Sequence, residues 1–390
     1  MTRFEQRAGS FPELDIAHGL RPKIVAAQAD IEANREIPTH LVDELIELGM
    51  FRTLLPSAYA GSQLPLPKFI RVVEAIAEAD GSTGWCVGQG SVFANAADLL
   101  SEQCVQEIWG QHPGSVVATG APTGCTAAAT DGGYVLSGKW GFASGCSHAT
   151  WIAAMGPLLD AQGELTSPRE VIMCVIPKQD IAFTDGWNVR GMRGTGSYSY
   201  TLDAVTVPAY RTLRASELLS THPGTATGLP ASLLFASAFG SVGLGIARRA
   251  LDGFVEVAKR KTPAMTRSKL AQDELVQAGI ALAEATWGST RAFLLDVADE
   301  CAFEHSSKGE VGYDLKARLR LAATYAMRRS AEVVDDVYEM SGTDSIFDDN
   351  PIQRCFQDIH ALTQQIQGRK THYRTIGRVL LGLEPDASML

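Results

Sequence analysis

The spacing of apolar residues changes twice along the chain, and this change restricts the fold more than any other feature. From residue 14 to 109 apolar residues recur every three or four positions, as in HLVDELIELGMFRTLL, so that each helix carries one apolar stripe. Between residues 113 and 211, short β-rich runs such as SVVATG and VIMCVIP alternate with glycine. The helical spacing then resumes in four long stretches, which suits an antiparallel bundle.

This pattern predicts an α+β fold in three parts. They are an N-terminal helical domain (residues 1–112), a central β domain (113–212) and a C-terminal four-helix bundle (213–390). The 390 residues suffice for two or three domains and a large buried core. Within the first part, the stretch DGSTGW breaks the helical spacing, and Asp80 is placed to cap the helix that follows.

Charge and apolar length exclude several kinds of partner. The net charge of -10 argues against a nucleic-acid partner, because the chain offers no basic face to phosphates. No segment approaches the uninterrupted apolar length of a membrane span, and the N-terminal MTRFEQRAGSFPELD lacks the apolar core of a secretion signal. We therefore expect a cytoplasmic protein without a membrane or nucleic-acid partner.

The cysteines and histidines point away from metal binding. The seven cysteines are odd in number and form no CxxC pair, which fits a reduced cytoplasmic protein without structural zinc. The eight histidines form neither HxxxH nor HExxH, and the acidic cluster DSIFDDN lacks the glycine and final glutamate of a calcium loop. No metal site is predicted.

The stretch GYVLSGKW, from Gly133 to Trp140, nearly spells a phosphate-binding loop. Such a loop continues with Ser or Thr and then a helix, whereas here Trp140 follows the lysine and two further glycines follow within WGFASGCSHATW. The letters therefore favour a strand, a tight Ser-Gly turn and a second strand over a nucleotide-binding loop.

Three motifs in this order resemble a known family. They are GGYVLSGKWGFASGCSHATW, then GMRGTGSYSYTLDAVTVPA, then a helical region that ends in NPIQRCFQDIHALTQQI. Together they resemble the acyl-CoA dehydrogenase fold, and more narrowly its flavin-dependent monooxygenases, the oxygenase components that take reduced flavin from a separate reductase. The resemblance covers nearly the whole chain. It implies that the β domain and the bundle together hold a flavin ring.

The parent fold supports two chemistries that the sequence helps to separate. Acyl-CoA dehydrogenases need a carboxylate base over the flavin, and the resemblance places it shortly after Asp358. No acidic residue occurs between Asp358 and Glu384, although Glu256 is at the other position that a minority of that family uses. The oxygenase is therefore favoured, with an FAD-dependent acyl-CoA dehydrogenase-type enzyme or a non-catalytic flavin-fold binding protein as alternatives.

The resemblance also implies catalytic residues. In the monooxygenase branch a histidine and a serine hydrogen-bond the flavin hydroperoxide that forms with O2, and by motif these are His360 and Ser144. Each also has a structural interpretation: a helix histidine bonded to a backbone carbonyl, and a turn serine bonded to its own backbone. His148 is expected to brace the same turn.

The expected cofactor is reduced FMN, with FAD as an alternative, supplied by a separate NAD(P)H-dependent flavin reductase. The resemblance places Trp85, Thr119, Trp140 and Phe142 beside the ring, with a core position equally suitable for Trp140 and Phe142. The candidates for the phosphate contact are Arg193 and, from a neighbouring subunit, Arg260 and Lys261. The apolar surface of ALAEATWGSTRAFLLDVA exceeds what one bundle face needs and, with the family habit, predicts a homotetramer.

The expected substrate is an aromatic or polycyclic small molecule. Phe93, Asn95, Phe235 and Phe239 would form an apolar pocket with one polar group. Several phenol hydroxylases of this branch carry a second histidine just after the tryptophan that corresponds to Trp85, and this chain has none there. The base that would activate a phenol is therefore left open.

Overall fold

A computed structural model of the chain describes residues 9–218, 220, 225 and 227–384. The outer ends of the predicted first and third parts lie outside the described residues, and so does most of the segment on which the secretion-signal prediction rests. Along the described chain, helices come first, then seven strands, then helices again. The first strand begins at Val117 and the last ends at Arg214.

The N-terminal helices bury the apolar stripes that their spacing predicts. They are α1 (Pro12–Ala26), α2 (Gln28–Asn34), α3 (Thr39–Glu47), α4 (Leu66–Ala79), α5 (Gly81–Asn95) and α6 (Glu102–Val105). On α4, Phe69, Val73 and Ile76 are fully buried because they recur at helical spacing. Asp80 caps α5 as predicted, since its Oδ1 accepts the Thr83 backbone N–H at 2.8 Å.

The seven strands form one mixed sheet. They are β1 (Val117–Thr130), β2 (Gly133–Ala143), β3 (Trp151–Leu159), β4 (Val171–Pro177), β5 (Ala182–Thr184), β6 (Tyr198–Pro208) and β7 (Thr212–Arg214), in the sheet order β5-β6-β2-β1-β3-β4-β7. β1 pairs with β2 antiparallel and with β3 parallel. The sheet has a hydrophobic core of its own, in which the fully buried rings of Trp140 and Tyr200 stack 5.2 Å apart.

The predicted hairpin within GYVLSGKWGF is wrong, because β2 runs through the Ser-Gly pair without a turn. Gly138 has a φ of +127°, and a Cβ there would lie 2.3 Å from the Gly124 carbonyl oxygen. Glycine at this position therefore permits a bulge, at which the pairing of β2 with β6 shifts register. The hairpin turn lies at residues 131–132, between β1 and β2.

The C-terminal helices are α7 (Ala215–Leu218), α8 (Ala231–Arg260), α9 (Glu274–Lys308), α10 (Tyr313–Ser341), α11 (Pro351–Leu362) and α12 (Thr371–Leu380). α8 is central, because it packs against α4, α5, α10 and α11. By length and composition α8 qualifies as a membrane span, which corrects the prediction that no segment comes close to one. Its apolar stretch is 94% buried inside the protein, as expected for a core helix.

The fourth predicted bundle helix is divided in two. α11 ends at Leu362, a 3-10 turn covers Ile366–Gly368, and α12 follows. The Gln365 side chain accepts the Gln367 backbone N–H, so the backbone is bonded locally instead of continuing the α-helical ladder. The bundle therefore consists of three long helices and two short ones.

Candidate active site

One face of α5 carries three side chains that the rest of the site builds upon. Trp85, Gln89 and Phe93 are spaced four residues apart and therefore share that face. Phe239 and Phe235, also four residues apart on α8, face them. The Trp85 and Phe239 rings are stacked with centroids 3.7 Å apart. The structure thus brings one predicted flavin contact together with the predicted substrate residues.

The remaining rings extend this contact into a continuous row. The Phe235 ring centroid lies 5.9 Å from that of Phe239 and 5.4 Å from that of Phe93. We call the four rings of Trp85, Phe239, Phe235 and Phe93 the aromatic seam. Asn95, the predicted polar group, is the last residue of α5, two residues after Phe93 and therefore on another side of the helix. It is buried, and its Oδ1 has no hydrogen-bond partner among the described residues.

The turn after β2 meets α5 at Gln89. The Gln89 side-chain Nε2 donates to the Ser144 carbonyl oxygen at 2.9 Å, so Ser144 lies beside the middle of α5. The Ser144 side chain is buried, and its Oγ lies 2.7 Å from Ser197 Oγ. Gln89 lies one turn from both Trp85 and Phe93. Gln89 was not predicted as a site residue from the sequence, although this spacing places it on the same helix face as Trp85 and Phe93.

Phe142, two residues before Ser144, has the exposure expected of a ligand contact. The residue is 64% exposed, and its backbone has a φ of +55°, in the left-handed region that non-glycine residues rarely adopt. Its nearest aromatic neighbour is Trp187, edge-on at 6.1 Å. A strained backbone that presents an aromatic ring to solvent beside a buried hydroxyl is consistent with the predicted ring contact.

The loop at residues 191–197 supplies two further hydroxyls that sequence reasoning missed. Thr195 Oγ1 lies 2.7 Å from Ser197 Oγ and donates to the Met192 carbonyl at 2.8 Å. The loop packs tightly against α11, since a Cβ on Gly191 would lie 2.0 Å from the Gln357 carbonyl oxygen. The signal was present in GMRGTGS, but the contact between Ser197 and Ser144 spans 53 residues and is set by the fold.

A buried ionic cluster anchors this loop to the helices. Asp358 Oδ1 on α11 accepts the Met192 backbone N–H at 2.5 Å, and its Oδ2 lies 3.8 Å from Arg354 Nε. Arg354 also donates to Asp80 Oδ2 at 2.5 Å. Burial raises the pKa of the Asp358 carboxyl to about 7, against the lowering effect of Arg354, and the negative charges of Asp80 and Glu32 raise it further.

His360 lies elsewhere. It follows Asp358 by two residues and is therefore rotated by about 200° around α11, away from the loop that Asp358 contacts. Its Nε2 is hydrogen-bonded to Asp335 Oδ1 on α10 at 2.8 Å, and both side chains are nearly half exposed, at 43% and 47%. The Phe356 ring packs edge-on against it at 4.5 Å. The structure does not bring His360 to Ser144, and its catalytic role stays a prediction.

The placement of Trp140 beside the flavin is corrected. Its ring is fully buried in the sheet's own core, and its Nε1 donates to the Met155 carbonyl at 2.8 Å, so the ring has no open side. The other interpretation, a core aromatic, holds. Thr119 is half-buried on β1, and its hydroxyl donates to the Ala153 carbonyl at 2.7 Å.

The predicted phosphate contacts are engaged in other bonds. Arg193 Nε pairs with Glu32 Oε1 at 2.7 Å, which ties the 191–197 loop to α2. Lys261 Nζ lies 2.9 Å from Asp344 Oδ1 and donates to the Ser341 carbonyl. The exposed Arg260 donates through Nε to the Glu256 carbonyl at 3.3 Å.

Glu256, the remaining candidate for a dehydrogenase base, lies at the surface. Its side chain is 68% exposed and paired with Lys259 at 3.0 Å. A base that removes a proton over a flavin must be shielded and close to the substrate. The position of Glu256 therefore does not suit this role.

His148 packs under the Ser144 turn. Its ring centroid lies 5.2 Å from that of Phe51, and a Cβ on Gly145 would lie 2.9 Å from its Nε2. Burial lowers the pKa of His148 to about 4, and the positive charge of Lys178 adds to this, so the imidazole is neutral near pH 7. A neutral, packed ring is consistent with its predicted bracing role.

The residues around Ser144 fit a flavin ring. A planar heteroaromatic ring requires flat apolar surfaces and hydrogen-bonding groups at its edge. Here the Trp85 Nε1 donor is buried and has no partner among the described residues, and Phe142 is open to solvent. The buried Ser144 hydroxyl contacts Ser197, while the Ser144 carbonyl oxygen accepts from Gln89 on α5. These three groups come from sequence positions that the resemblance had already selected.

Comparison with known proteins identifies the family. The chain matches the acyl-CoA dehydrogenase N-terminal domain over residues 19–107 and the acyl-CoA dehydrogenase C-terminal domain over residues 237–368. It is 31% identical over 355 residues to the flavin-dependent monooxygenase oxygenase subunit HsaA of Rhodococcus jostii, covering 88% of this chain and 91% of that one. It is 30% identical over 370 residues to indole-3-acetate monooxygenase of Pseudomonas putida, covering 92% and 91%.

A solved structure agrees with these relatives. The crystal structure of 3-HSA hydroxylase from Rhodococcus superposes with a TM-score of 0.90 at 26% identity, covering 98% of this chain and 100% of that one. The predicted α+β fold of the acyl-CoA dehydrogenase type is confirmed. The chain belongs to the flavin-dependent monooxygenases, as an oxygenase component built on the acyl-CoA dehydrogenase fold.

Proposed function

We propose that this oxygenase component takes reduced FMN or FAD from a separate NAD(P)H-dependent reductase and uses O2 to oxygenate an aromatic or polycyclic small molecule along the aromatic seam. The observation that carries the substrate class is the row of four rings that passes the Gln89–Ser144 contact. Flat apolar molecules bind well between such rings. The Pseudomonas putida relative is named for an aromatic acid, indole-3-acetate, which supports the same class.

Each side chain has a distinct part in this proposal. Reduced flavin supplies the electrons and the reaction with O2. Phe142 would pack against the flavin ring, the Trp85 indole N–H would donate a hydrogen bond at the edge of that ring, and the buried Ser144 hydroxyl would form a hydrogen bond with the flavin inside a turn that excludes water. Asn95 offers its buried amide oxygen to a hydroxyl or N–H of the substrate.

The structure favours oxygenation over dehydrogenation. Proton abstraction beside a thioester carbonyl requires a shielded carboxylate, and Glu256 is exposed and paired with Lys259. Gln367 lies in the stretch after Asp358 where the resemblance places that carboxylate, and it is a buried amide that accepts a hydrogen bond from Arg320. An amide cannot act as the base, so the dehydrogenase alternative lacks its essential group.

The direct test supplies the protein with chemically reduced FMN or FAD under anaerobic conditions. Air-saturated buffer with a panel of indoles, phenols and polycyclic aromatics is then added. We expect an oxygenated product from at least one aromatic compound, no NADH oxidation by the chain alone, and unchanged turnover in Glu256→Gln. Loss of turnover in Glu256→Gln, or acyl-CoA oxidation by the wild type, would contradict the proposal. Failure to bind reduced flavin would leave only the binding-protein alternative.

We further propose that the chain assembles as a homotetramer through its C-terminal helices. α9 exposes three large apolar side chains, Leu275 at 84%, Leu282 at 69% and Phe303 at 74%. A partner that covers them removes this apolar surface from water. Light scattering should give four times the chain mass for the wild type and for Ser306→Glu, and a lower mass for Phe303→Glu. A wild-type monomer at micromolar concentration would contradict the proposal.

A reducing cytoplasmic location is proposed on the basis of the cysteines. All seven are free thiols, and six of them are buried. Secreted proteins of this size commonly pair such residues in disulfides. Fractionation of the expressing cell with an antibody to the chain tests the location, and recovery outside the cytoplasm would overturn it.

A further inference from the structure

Three buried hydroxyls form a single hydrogen-bonded row behind the proposed flavin contact. Ser144 Oγ lies 2.7 Å from Ser197 Oγ, which lies 2.7 Å from Thr195 Oγ1, and Thr195 Oγ1 lies 2.8 Å from the Met192 carbonyl oxygen. Their side chains belong to residues that are only 6%, 5% and 2% exposed, respectively. We call Ser144, Ser197 and Thr195 the hydroxyl row.

Counting protons gives the row a direction. A carbonyl oxygen can only accept, so the single Thr195 proton points at Met192. Ser197 must then donate to Thr195, and Ser144 must donate to Ser197. In this arrangement all three short contacts are hydrogen bonds. Ser144 has used its only proton inside the protein and offers only lone pairs outward.

The opposite direction is less favourable. For Ser144 to donate outward, Ser197 must donate to Ser144 and Thr195 to Ser197. The Met192 carbonyl then loses the Thr195 proton and faces an oxygen at 2.8 Å without hydrogen between them. A buried bond is lost and no new one is formed within the protein. The row therefore favours Ser144 as an acceptor.

Met192, which accepts the last hydrogen bond of the hydroxyl row, is held in place by α11. Met192 has a φ of +55°, a left-handed conformation that costs a non-glycine residue free energy. Its backbone N–H is fixed by the buried Asp358 carboxyl at 2.5 Å, and the Trp187 Nε1 approaches its carbonyl oxygen at 3.3 Å. The acceptor that orients Thr195 thus cannot turn away without breaking a bond between the β domain and α11.

We infer that Thr195 and Ser197 are positioning residues that hold Ser144 as a hydrogen-bond acceptor, and that they thereby make the site select reduced flavin over oxidised flavin. N5 of the flavin ring carries a hydrogen only in the reduced state, whereas in the oxidised state the same nitrogen is an acceptor. An acceptor on the protein can form a hydrogen bond with N5–H of reduced flavin, whereas it faces another acceptor at N5 of oxidised flavin. The inference rests on the proposed function, in which Ser144 contacts the flavin.

The test is the ratio of two dissociation constants, for oxidised and for anaerobically reduced FMN, measured by fluorescence or calorimetry without substrate or turnover. Thr195→Val keeps the shape of the side chain and removes its hydroxyl, so Ser197 becomes free to donate to Ser144 and Ser144 to donate outward. We expect the ratio of oxidised to reduced dissociation constants to fall about five- to tenfold. Ser197→Ala, which interrupts the row, should lower it in the same direction.

Two control variants separate positioning from general damage. Thr195→Ser retains the hydroxyl and should keep the wild-type ratio within about twofold. Ser199→Ala removes an exposed hydroxyl on β6, two residues after Ser197, and should also leave the ratio unchanged. A merely structural role would weaken both dissociation constants together and leave their ratio constant.

The two possible failures are distinct. If the wild type binds reduced flavin and forms product, but neither Thr195→Val nor Ser197→Ala lowers the ratio, the inference about the row is overturned and the proposed function stands. A ratio lowered by Thr195→Val and kept by Thr195→Ser supports it. A wild type that binds neither form of FMN nor FAD overturns the proposed function and the inference with it.

Discussion

The turn at Ser144 and the helix face at His360 differ in burial, in hydrogen-bond partners and in their connection to the rest of the molecule. Ser144 is 6% exposed and is bonded to α5 through Gln89 and to the 191–197 loop through Ser197. The His360 side chain is 43% exposed and is bonded to one partner, Asp335, which is itself nearly half exposed. A hydrogen bond at the first location is shielded from water, and one at the second competes with it.

This difference follows from the positions of Asp358 and His360 around the axis of α11. Asp358 and His360 are two residues apart on α11, yet one binds the Met192 backbone at the domain junction and the other faces solvent. On a helix, two residues correspond to more than half a turn. The motif that contains both residues therefore directs their side chains to different sides of α11.

The largest effect is expected on the Ser144 side, in the aromatic seam. Phe239 is 2% exposed and stacks on Trp85, so Phe239→Ala should lower the free energy of unfolding by about 3–5 kcal/mol through lost burial and the cavity left behind. Phe347, which is 60% exposed, provides the control, and Phe347→Ala should cost less than about 0.5 kcal/mol. Urea unfolding measures both. Equal losses would remove the energetic distinction between the seam and the surface.

The second-largest effect is expected in the pH dependence of the free energy of unfolding. The Asp358 pKa is raised from 3.8 to about 7 by burial, so between about pH 4 and 7 the folded protein holds a proton that the unfolded chain has released. The free energy of unfolding should therefore fall as pH rises through this window, by up to about 1.4 kcal/mol per pH unit from this group, and level off above pH 7.

Asp358→Asn cannot titrate, and its amide oxygen can still accept the Met192 N–H. Its stability relative to the wild type should therefore rise between pH 5 and 7 and stay constant above. Asp203→Asn, at an exposed position on β6, is the control and should follow the wild-type profile. Urea unfolding at pH 5, 6, 7 and 8 measures this difference. Parallel profiles for Asp358→Asn and the wild type would show that Asp358 is ionised throughout.

The smallest effect on stability is expected at the exposed ion pair of His360 and Asp335. A double-mutant cycle with His360→Ala and Asp335→Ala should give a coupling energy of about 0.2–1 kcal/mol, because both side chains are well hydrated. Urea unfolding of the two single variants and the double variant supplies the cycle. A coupling above about 2 kcal/mol would indicate that the pair is buried in the assembled protein, and the contrast with Ser144 would then weaken.

Sequence reasoning reached the architecture and one half of the site. The change between helical and β spacing is a property of consecutive residues, and so is the eight-residue spacing of Trp85 and Phe93, which puts both on one face of α5. The rings of α8 were predicted to lie near Phe93, and the Phe235 ring does. Local patterns of this kind depend on nothing beyond the chain's own periodicity.

Other features depend on contacts between distant segments. The Ser-Gly pair in β2 suggests a turn, and only the pairing with β1 and β6 shows that Gly138 makes a bulge. Trp140 lies on the strand face that meets Tyr200, 60 residues later, which no local pattern specifies. The hydroxyl row joins Ser144 to a loop about fifty residues away and then to α11, so it exists only in the folded chain.

The most direct measurement compares two variants in one assay. Purified wild type, Ser144→Ala and His360→Ala are each given reduced flavin, O2 and an aromatic compound that the wild type oxygenates. The amount of hydrogen peroxide released per molecule of product is then recorded. Loss of a buried, strongly polar hydrogen bond costs roughly 1.5–3 kcal/mol, so Ser144→Ala should raise this ratio about ten- to hundredfold. His360→Ala should leave it within about twofold of the wild type. A large rise in His360→Ala with Ser144→Ala unchanged would contradict the assignment of the buried turn as the reactive side of the site.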